Sequence, residues 1–391
     1  MAKNKHHYVP QFYLRAFSSN PPRQTQIHLY NLERRRAIEN VSLQDQCYKN
    51  RLHGETNDLE DVIAKLETVF GVVLQKIVST SNLPEPLSAD HGLLYTFVAL
   101  QMLRTVRAGE LINTGLDKMI KQAYHDDSRL KDMDLDQIRV GYENPVLASL
   151  SMLHTMMDCI ADLDMHLLCA GEGQTFITSD NPIYKYNQYM EGIKGTGVTG
   201  TLSTGLQIFV PLSPKHLLML YDGRIYQVGS PKNLLVTKKL ENSDVTKLNR
   251  LQVHSADQNL YFNDWNHESF VEYVVRKSIG QRLADPVEVE ELVDPTNDRH
   301  VLIHQYHRMP NLMLRLSFLT FRPEAKKVPI QTRVHPSYSM RRDPSEIATE
   351  PPAGPPIPSG TIFVPVADCR NTGRSRATVD NVDLTQTKLT N

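Results

Sequence analysis

The stretch that most constrains this chain is Asn4-Lys5-His6-His7-Tyr8-Val9-Pro10-Gln11-Phe12-Tyr13-Leu14-Arg15-Ala16-Phe17, which sets six polar side chains among aromatic and aliphatic ones. No ordinary core element can be built from it, because each buried polar group without a partner costs roughly 1–3 kcal/mol. Polar groups from elsewhere in the chain must therefore come to meet it.

Helical patterning supplies candidates. Leu59, Val62, Ile63, Leu66, Phe70, Val73, Leu74 and Ile77 recur at helical spacing after Asn57, whose Glu60 three residues on suggests a capping box. Glu60 and Glu67 then share one rim of the apolar stripe, where paired carboxylates serve as metal ligands, as acid and base, or as solvated charges. A second helix is expected from about Ala89 to Tyr124, capped by Ser88 and broken near Gly109 or Gly115. It sets Gln101 and Arg104 within its apolar face. A guanidinium so placed needs a carboxylate, a carbonyl or an anionic ligand.

A further helix is expected from Pro145 to about Leu163. Met165–Ala170 and Thr175–Thr178 then look like paired strands around Gly171-Glu172-Gly173, the second leading into Ser179-Asp180-Asn181-Pro182. That tetrapeptide suits a turn in which short polar side chains bond nearby backbone. Asn187–Gly205 is read as a long Gly/Thr loop or flap. Strands resume at Leu206–Val210, Leu217–Tyr221 and Arg224–Val228, and helices are expected at Leu235–His254 and Glu268–Lys277. The class expected is α+β: an N-terminal polar motif and a hairpin through Gln26–Tyr30, central long helices, then a mainly antiparallel sheet with flanking helices. Residues 1–280 are expected to form a single α+β domain, 281–333 an irregular extension with Val287–Leu292 acidic and His300–His307 without pattern, and 334–391 a flexible Pro-rich tail in which Thr361–Val364 adds a short strand.

The string His6 to Arg15, with Gln101-Met102-Leu103-Arg104-Thr105 and Phe176 to Ile183, resembles a widespread microbial family designated only as a domain of unknown function, of the DUF-4238 type. The motifs occur in the family's order, and the resemblance spans roughly residues 4 to 265. It implies a shared fold and a shared polar site, and carries no particular activity.

Function is bounded by exclusion. Among 391 residues there is no Gly-x-x-x-x-Gly-Lys-Ser/Thr loop, no His-Glu-x-x-His and no Gly-x-Ser-x-Gly elbow. Gly195-Thr196-Gly197-Val198-Thr199-Gly200 matches a dinucleotide fingerprint but leads into a strand rather than a helix. The formal net charge of -1 argues against a nucleic-acid coat, although basic residues gather near the N-terminus. Four widely spaced cysteines, no charged-then-apolar leader and no run of 18 apolar residues fit a reduced, cytoplasmic setting with no membrane partner.

If the three motifs converge, His6, His7, Arg104 and Asp180 are the candidate catalytic residues, and Gln11, Arg15, Gln101 and Asn181 the candidate substrate-binding ones. His7 would act as base or ligand with Asp180 as its partner, and Arg104 as an anion clamp. The reading is a hydrolase acting on a phosphate-bearing substrate, with nucleic acid the first partner to consider and a divalent metal the candidate cofactor. The rival reading is a non-catalytic binding or scaffold module in which the same cluster is a buried network.

Overall fold

The computed structural model describes residues 5–21, 23–54, 56–125, 134–193, 197–229, 235–293, 300–328, 333 and 361–365. Among these it is an α+β protein with eight α-helices and mainly antiparallel sheets. No helix of the described residues is long and apolar enough to cross a membrane.

The opening motif folds as a short strand, Lys5–His7, paired antiparallel with Tyr48–Asn50, then as helix α1 (Gln11–Arg15). Pro10 precedes the helix with extended backbone, and its carbonyl takes the amides of Tyr13 and Leu14. Val9, Tyr13, Leu14 and Phe17 are fully buried, and the Tyr13 ring lies 6.1 Å from that of Phe97. The motif is thus a wedge driven into the main core.

Two long helices pack around it. Helix α2 (Asp58–Thr80) buries Ile63, Phe70, Val73, Leu74 and Ile77, and helix α3 (Ala89–Leu103) is capped by the Ser88 hydroxyl, which accepts the His91 amide at 3.2 Å. Asn57 makes no side-chain cap, and Glu60 turns instead to His53. The expected continuous helix breaks at Arg104–Thr105 rather than at a glycine: Thr105 caps a new helix, α4 (Val106–Ala123), by accepting the Ala108 amide at 3.1 Å. A local side-chain bond therefore outcompetes helix continuity. The helix expected over Pro145–Leu163 is likewise two, α5 (Pro145–Leu150) and α6 (Leu153–Ile160).

The central sheet has five strands in the order Val236–Leu240, Asp164–Ala170, His216–Tyr221, Gln207–Ser213, Tyr184–Tyr186, and its first pair is parallel. The helix expected from Leu235 begins only at Asn242, as α7 (Asn242–Ser255). Its apolar start is claimed by the sheet, where Leu240 is buried. The hairpin expected around Gly171-Glu172-Gly173 does not form. Thr178–Ser179 instead edges a second sheet in the order Arg36–Ser42, Gln26–Asn31, Asn259–Phe262, Thr178–Ser179, while Asp164–Ala170 pairs with His216–Tyr221. Helix α8 (Glu268–Ser278) adds Val271, Val274 and Val275 to the core beside that second sheet.

The Gly/Thr loop is fastened where it is described. Asn187 is fully buried, and its Nδ2 donates to the carbonyls of Val198 at 2.7 Å and Thr204 at 2.8 Å. The Gly-x-Gly-x-x-Gly stretch lies partly outside the described residues. Where irregular chain was expected, Val287–Val293 and His300–His307 pair antiparallel, and Thr361–Pro365 adds a third strand. The alternation Val287-Glu288-Val289-Glu290 is the period-2 signature of the first of those strands. The rest of the tail, 334–360 and 366–391, lies outside the described residues.

Tyr13 joins the motif to both large sheets: its hydroxyl donates to the Pro211 carbonyl at 2.5 Å and lies 2.8 Å from Thr178 Oγ1. Removing that hydroxyl strands a buried acceptor. Tyr13→Phe is expected to lower stability by roughly 1–2 kcal/mol in urea denaturation with an unchanged m-value.

Candidate functional site

The polar side chains of the opening segment are met chiefly by α2 and α3. Gln101 Nε2 donates to the Tyr8 carbonyl at 2.9 Å, and Arg104 Nη2 donates to the His7 carbonyl at 2.5 Å. The guanidinium of Arg104, 1% exposed, is neutralised by Glu67 at 2.7 Å. The i, i+3 spacing that put Gln101 and Arg104 on one face thus delivers two donors to the consecutive carbonyls of His7 and Tyr8, at the end of the opening strand.

Beside this tie lies a cluster that includes a residue the sequence patterns did not flag. His53, in the turn between the strand Tyr48–Asn50 and α2, is buried and stacks on His6 with ring centroids 5.3 Å apart. The His53 amide donates to His6 Nδ1 at 3.0 Å. His53 Nδ1 lies 2.7 Å from Glu60 Oε2. An ionised carboxylate only accepts, so Nδ1 carries the hydrogen and Nε2 holds the lone pair. That Nε2 is buried without a hydrogen-bond partner, as are Arg104 Nε and Gln101 Oε1.

The electrostatics are those of a tightly coupled polar pocket. Burial holds His53 below the ordinary imidazole value, against the opposing bond to Glu60. Burial pushes the Glu60 carboxyl up, but the His53 bond and the charges of His53, His6 and Arg104 outweigh it, and its pKa lies below the usual range. His7 is also lowered by burial, and the charges acting on it come from Glu67, Glu60 and Arg104. Its Nε2 lies 3.2 Å from both the Gln44 carbonyl and Gln11 Nε2. His7, Gln11, Glu60 and Glu67 are partly exposed, and Arg15, 3.4 Å from Gln11 Oε1, is exposed. The cluster therefore has a solvent-facing rim over a buried floor of His6, His53 and Arg104.

His6, His53 and Glu60 each bring one potential ligand atom to within 4.8 Å of the others. Two histidines and a glutamate suit a transition metal with an open position. Two of the three already share a proton, so a cation between them must displace it, and its affinity would rise with pH.

Asp180 and Asn181 serve a different junction. The Asp180 carboxylate, 2% exposed, accepts the amides of Asp257 and Gln258 at 2.7 Å each and of Asn259 at 2.9 Å. Burial still pushes its pKa up to about 6 against those three bonds. Its charge acts on Tyr8 and Cys47 rather than on His7. Asn181 accepts from Thr105 Oγ1 at 2.9 Å and donates to the Ser255 carbonyl at 3.0 Å. The Ser-Asp-Asn-Pro turn thus ties α4 and the end of α7 to the second sheet. Of the eight residues expected to converge, His6, His7, Gln11, Gln101 and Arg104 meet around α2, Arg15 reaches their rim through Gln11, and Asp180 and Asn181 stand at the neighbouring junction.

Fold and site together define an α+β protein organised around a buried His/Glu/Arg cluster at its N-terminal motif. Residues 5–266 match the family described as "Protein of unknown function (DUF4238)", and the chain belongs to that family. No curated protein and no solved structure matches it.

Asp180→Asn sets an amide nitrogen among three backbone donors. It is expected to lower stability by roughly 2–3 kcal/mol in urea denaturation at pH 7.

Proposed function

We propose that the protein is a hydrolase acting on a phosphate-bearing substrate, nucleic acid first, with the Glu60–His53 pair as its acid–base unit. One observation carries this reading: His53 is held in a single tautomer by Glu60, and its Nε2 lone pair is left buried and without a partner. A carboxylate-oriented imidazole of this kind takes a proton from an attacking water, while the carboxylate stabilises the imidazolium that forms. Arg104 adds positive potential beside it, and its Nε has a donor to spare. The partly exposed rim of His7 and Gln11, with exposed Arg15 beyond it, offers groups to a substrate phosphate. A divalent metal at His6, His53 and Glu60 would supply a Lewis acid in the same place. The reading includes a cytoplasmic setting, since Cys47 and Cys159 are buried thiols outside any disulfide.

A second reading, a non-catalytic module, is favoured by the depth of the cluster. His6, His53, Arg104 and Asp180 are each at most 2% exposed, and Arg104 and Asp180 bond chiefly to the protein's own backbone and to Glu67.

Hydrolysis of bis(p-nitrophenyl) phosphate and of short single-stranded DNA and RNA, with EDTA or with Mn²⁺, separates the two. Turnover that drops by a factor of about 10²–10⁴ in folded His53→Ala and Glu60→Gln supports the hydrolase. Because burial lowers the His53 pKa, its base form persists as pH falls, so the acid limb of the rate should lie below pH 6.5. Absence of turnover under every condition, with His53→Ala melting far lower, would leave the cluster as architecture.

A further inference from the structure

A cavity of about 330 Å³ opens beside the junction of α3 and α4. It shares no residue with the His53 cluster, and ligand binding there is independent of the hydrolytic reading. Met102 and Leu103 line it, while Gln101 and Arg104 of the same turn reach the opening strand, so the helix end divides the two sites.

The lining carries an unbalanced charge. Arg107 comes from α4, Lys185 from the edge strand of the central sheet, His254 from the end of α7, and His307 from the strand His300–His307. Among the described residues no aspartate or glutamate lines the cavity. Of the acids just outside, Glu288 pairs with Arg308, also a lining residue, at 2.8 Å, and Asp285 pairs with Lys118 at 2.6 Å while its charge also reaches Arg107 and His307. Among the described residues no carboxylate lies within ion-pair distance of Lys185 or Arg107, and Arg107 Nη2 donates to the Ala284 carbonyl at 2.8 Å.

Two walls also hold polar atoms without partners. Both ring nitrogens of His254 and the hydroxyl of Ser149 on α5 are buried with no hydrogen bond. Such groups are costly unless something binds them. The titration behaviour agrees: burial first, then the charges of Lys185 and Arg107, hold His307 down to about 4, and burial lowers Lys185 to about 8. The rest of the lining is apolar and adaptable, with Leu111, Ile112, Met152, Met156 and Met309 joining Met102.

We propose that this cavity binds a small amphipathic anion, its carboxylate or phosphate head held by Lys185 and Arg107 beside His307, and its apolar body lodged among the methionines. The unpaired His254 and Ser149 supply hydrogen bonds to a further polar group of the ligand. The size falls at the lower end of small-molecule sites, and a few convergent polar groups in an apolar wall are their usual composition.

The test uses the full chain with four probes of one tail length, octanoate, octyl phosphate, octanol and octylammonium, read by thermal shift and isothermal calorimetry. Octanoate or octyl phosphate is expected to raise the melting temperature and bind at least tenfold more tightly than octanol, and octylammonium is expected to give no shift. The tighter of the two anions identifies the head. Lys185→Met and Arg107→Met should each weaken that anion at least tenfold; Lys185→Met should also leave the unliganded melting temperature unchanged or higher, since it removes a cation with no carboxylate in reach, whereas a purely structural role for Lys185 would lower it. Octanol binding as tightly as both anions in the wild-type protein, or no binding of either anion, would overturn the proposal even if a variant failed to fold. So would anion affinity that survives both substitutions.

Discussion

Arg104 is the interaction on which the rest depends. Its guanidinium cannot discharge, so burial obliges the fold to supply a counter-charge and acceptors. Glu67 gives the charge and the His7 carbonyl an acceptor. Through these two bonds the end of α3 fixes both α2 and the opening strand, a three-residue element that pairs only with Tyr48–Asn50 and could not hold its own register. Gln101 repeats the tie one residue further on, at Tyr8. Sited just past the last turn of α3, Arg104 also faces the negative end of that helix, which favours a cation there.

The break after Arg104 has the same logic. Thr105 could have continued the helix, but its hydroxyl serves two partners, capping α4 through the Ala108 amide and meeting Asn181. The central motif thus faces two ways. Gln101 and Arg104 look toward the opening segment, and Thr105 looks toward the Ser-Asp-Asn-Pro turn. That turn is itself gripped by the backbone of residues 257–259 and by Gln252 and Ser255. Three segments far apart in the chain are locked largely by bonds that side chains make to backbone and to one another.

How much of this was legible depends on the kind of signal each residue leaves. Gln101 and Arg104 were readable because an always-charged group on an apolar helical face demands a partner, but that the partner is Glu67 depends on how α2 packs beside α3, which no local pattern records. Glu60 fitted a local rule, the capping box, which a tertiary partner overrode. His53 left no signal, since it sits in a turn without periodicity and is buried only because α2 and the opening strand close over it. The strand Val236–Leu240 was hidden for a related reason: a short apolar run next to a helix has no period of its own, and the parallel pairing with Asp164–Ala170 decides it. The strand Val287–Val293 did open on an alternating pattern, masked by its acidic residues, whereas His300–His307 carries none. Asp180 was readable as a turn former, whereas its distance from the chemistry of His7 depends on contacts that no local pattern records.

Charge balance separates the two polar regions of the molecule. In the motif cluster the one permanent buried cation, Arg104, has the Glu67 carboxylate in reach, and the neutral His53 ring is bonded to Glu60, so what the region leaves over is single atoms such as His53 Nε2. A cation so paired is stable without a ligand, and any chemistry the cluster performs must come from that spare lone pair. The cavity beyond α3 is the opposite case, with Lys185 and Arg107 near His307 and no acid among its described lining residues. Concentrated like charge in a low-dielectric space opposes folding. Because no carboxylate of the described residues pairs with Lys185 or Arg107, the cavity holds a standing positive potential. One helix end thus supports both a region whose charges are satisfied internally and one whose charges are not, and the second is where an anion lowers the energy of the folded chain most.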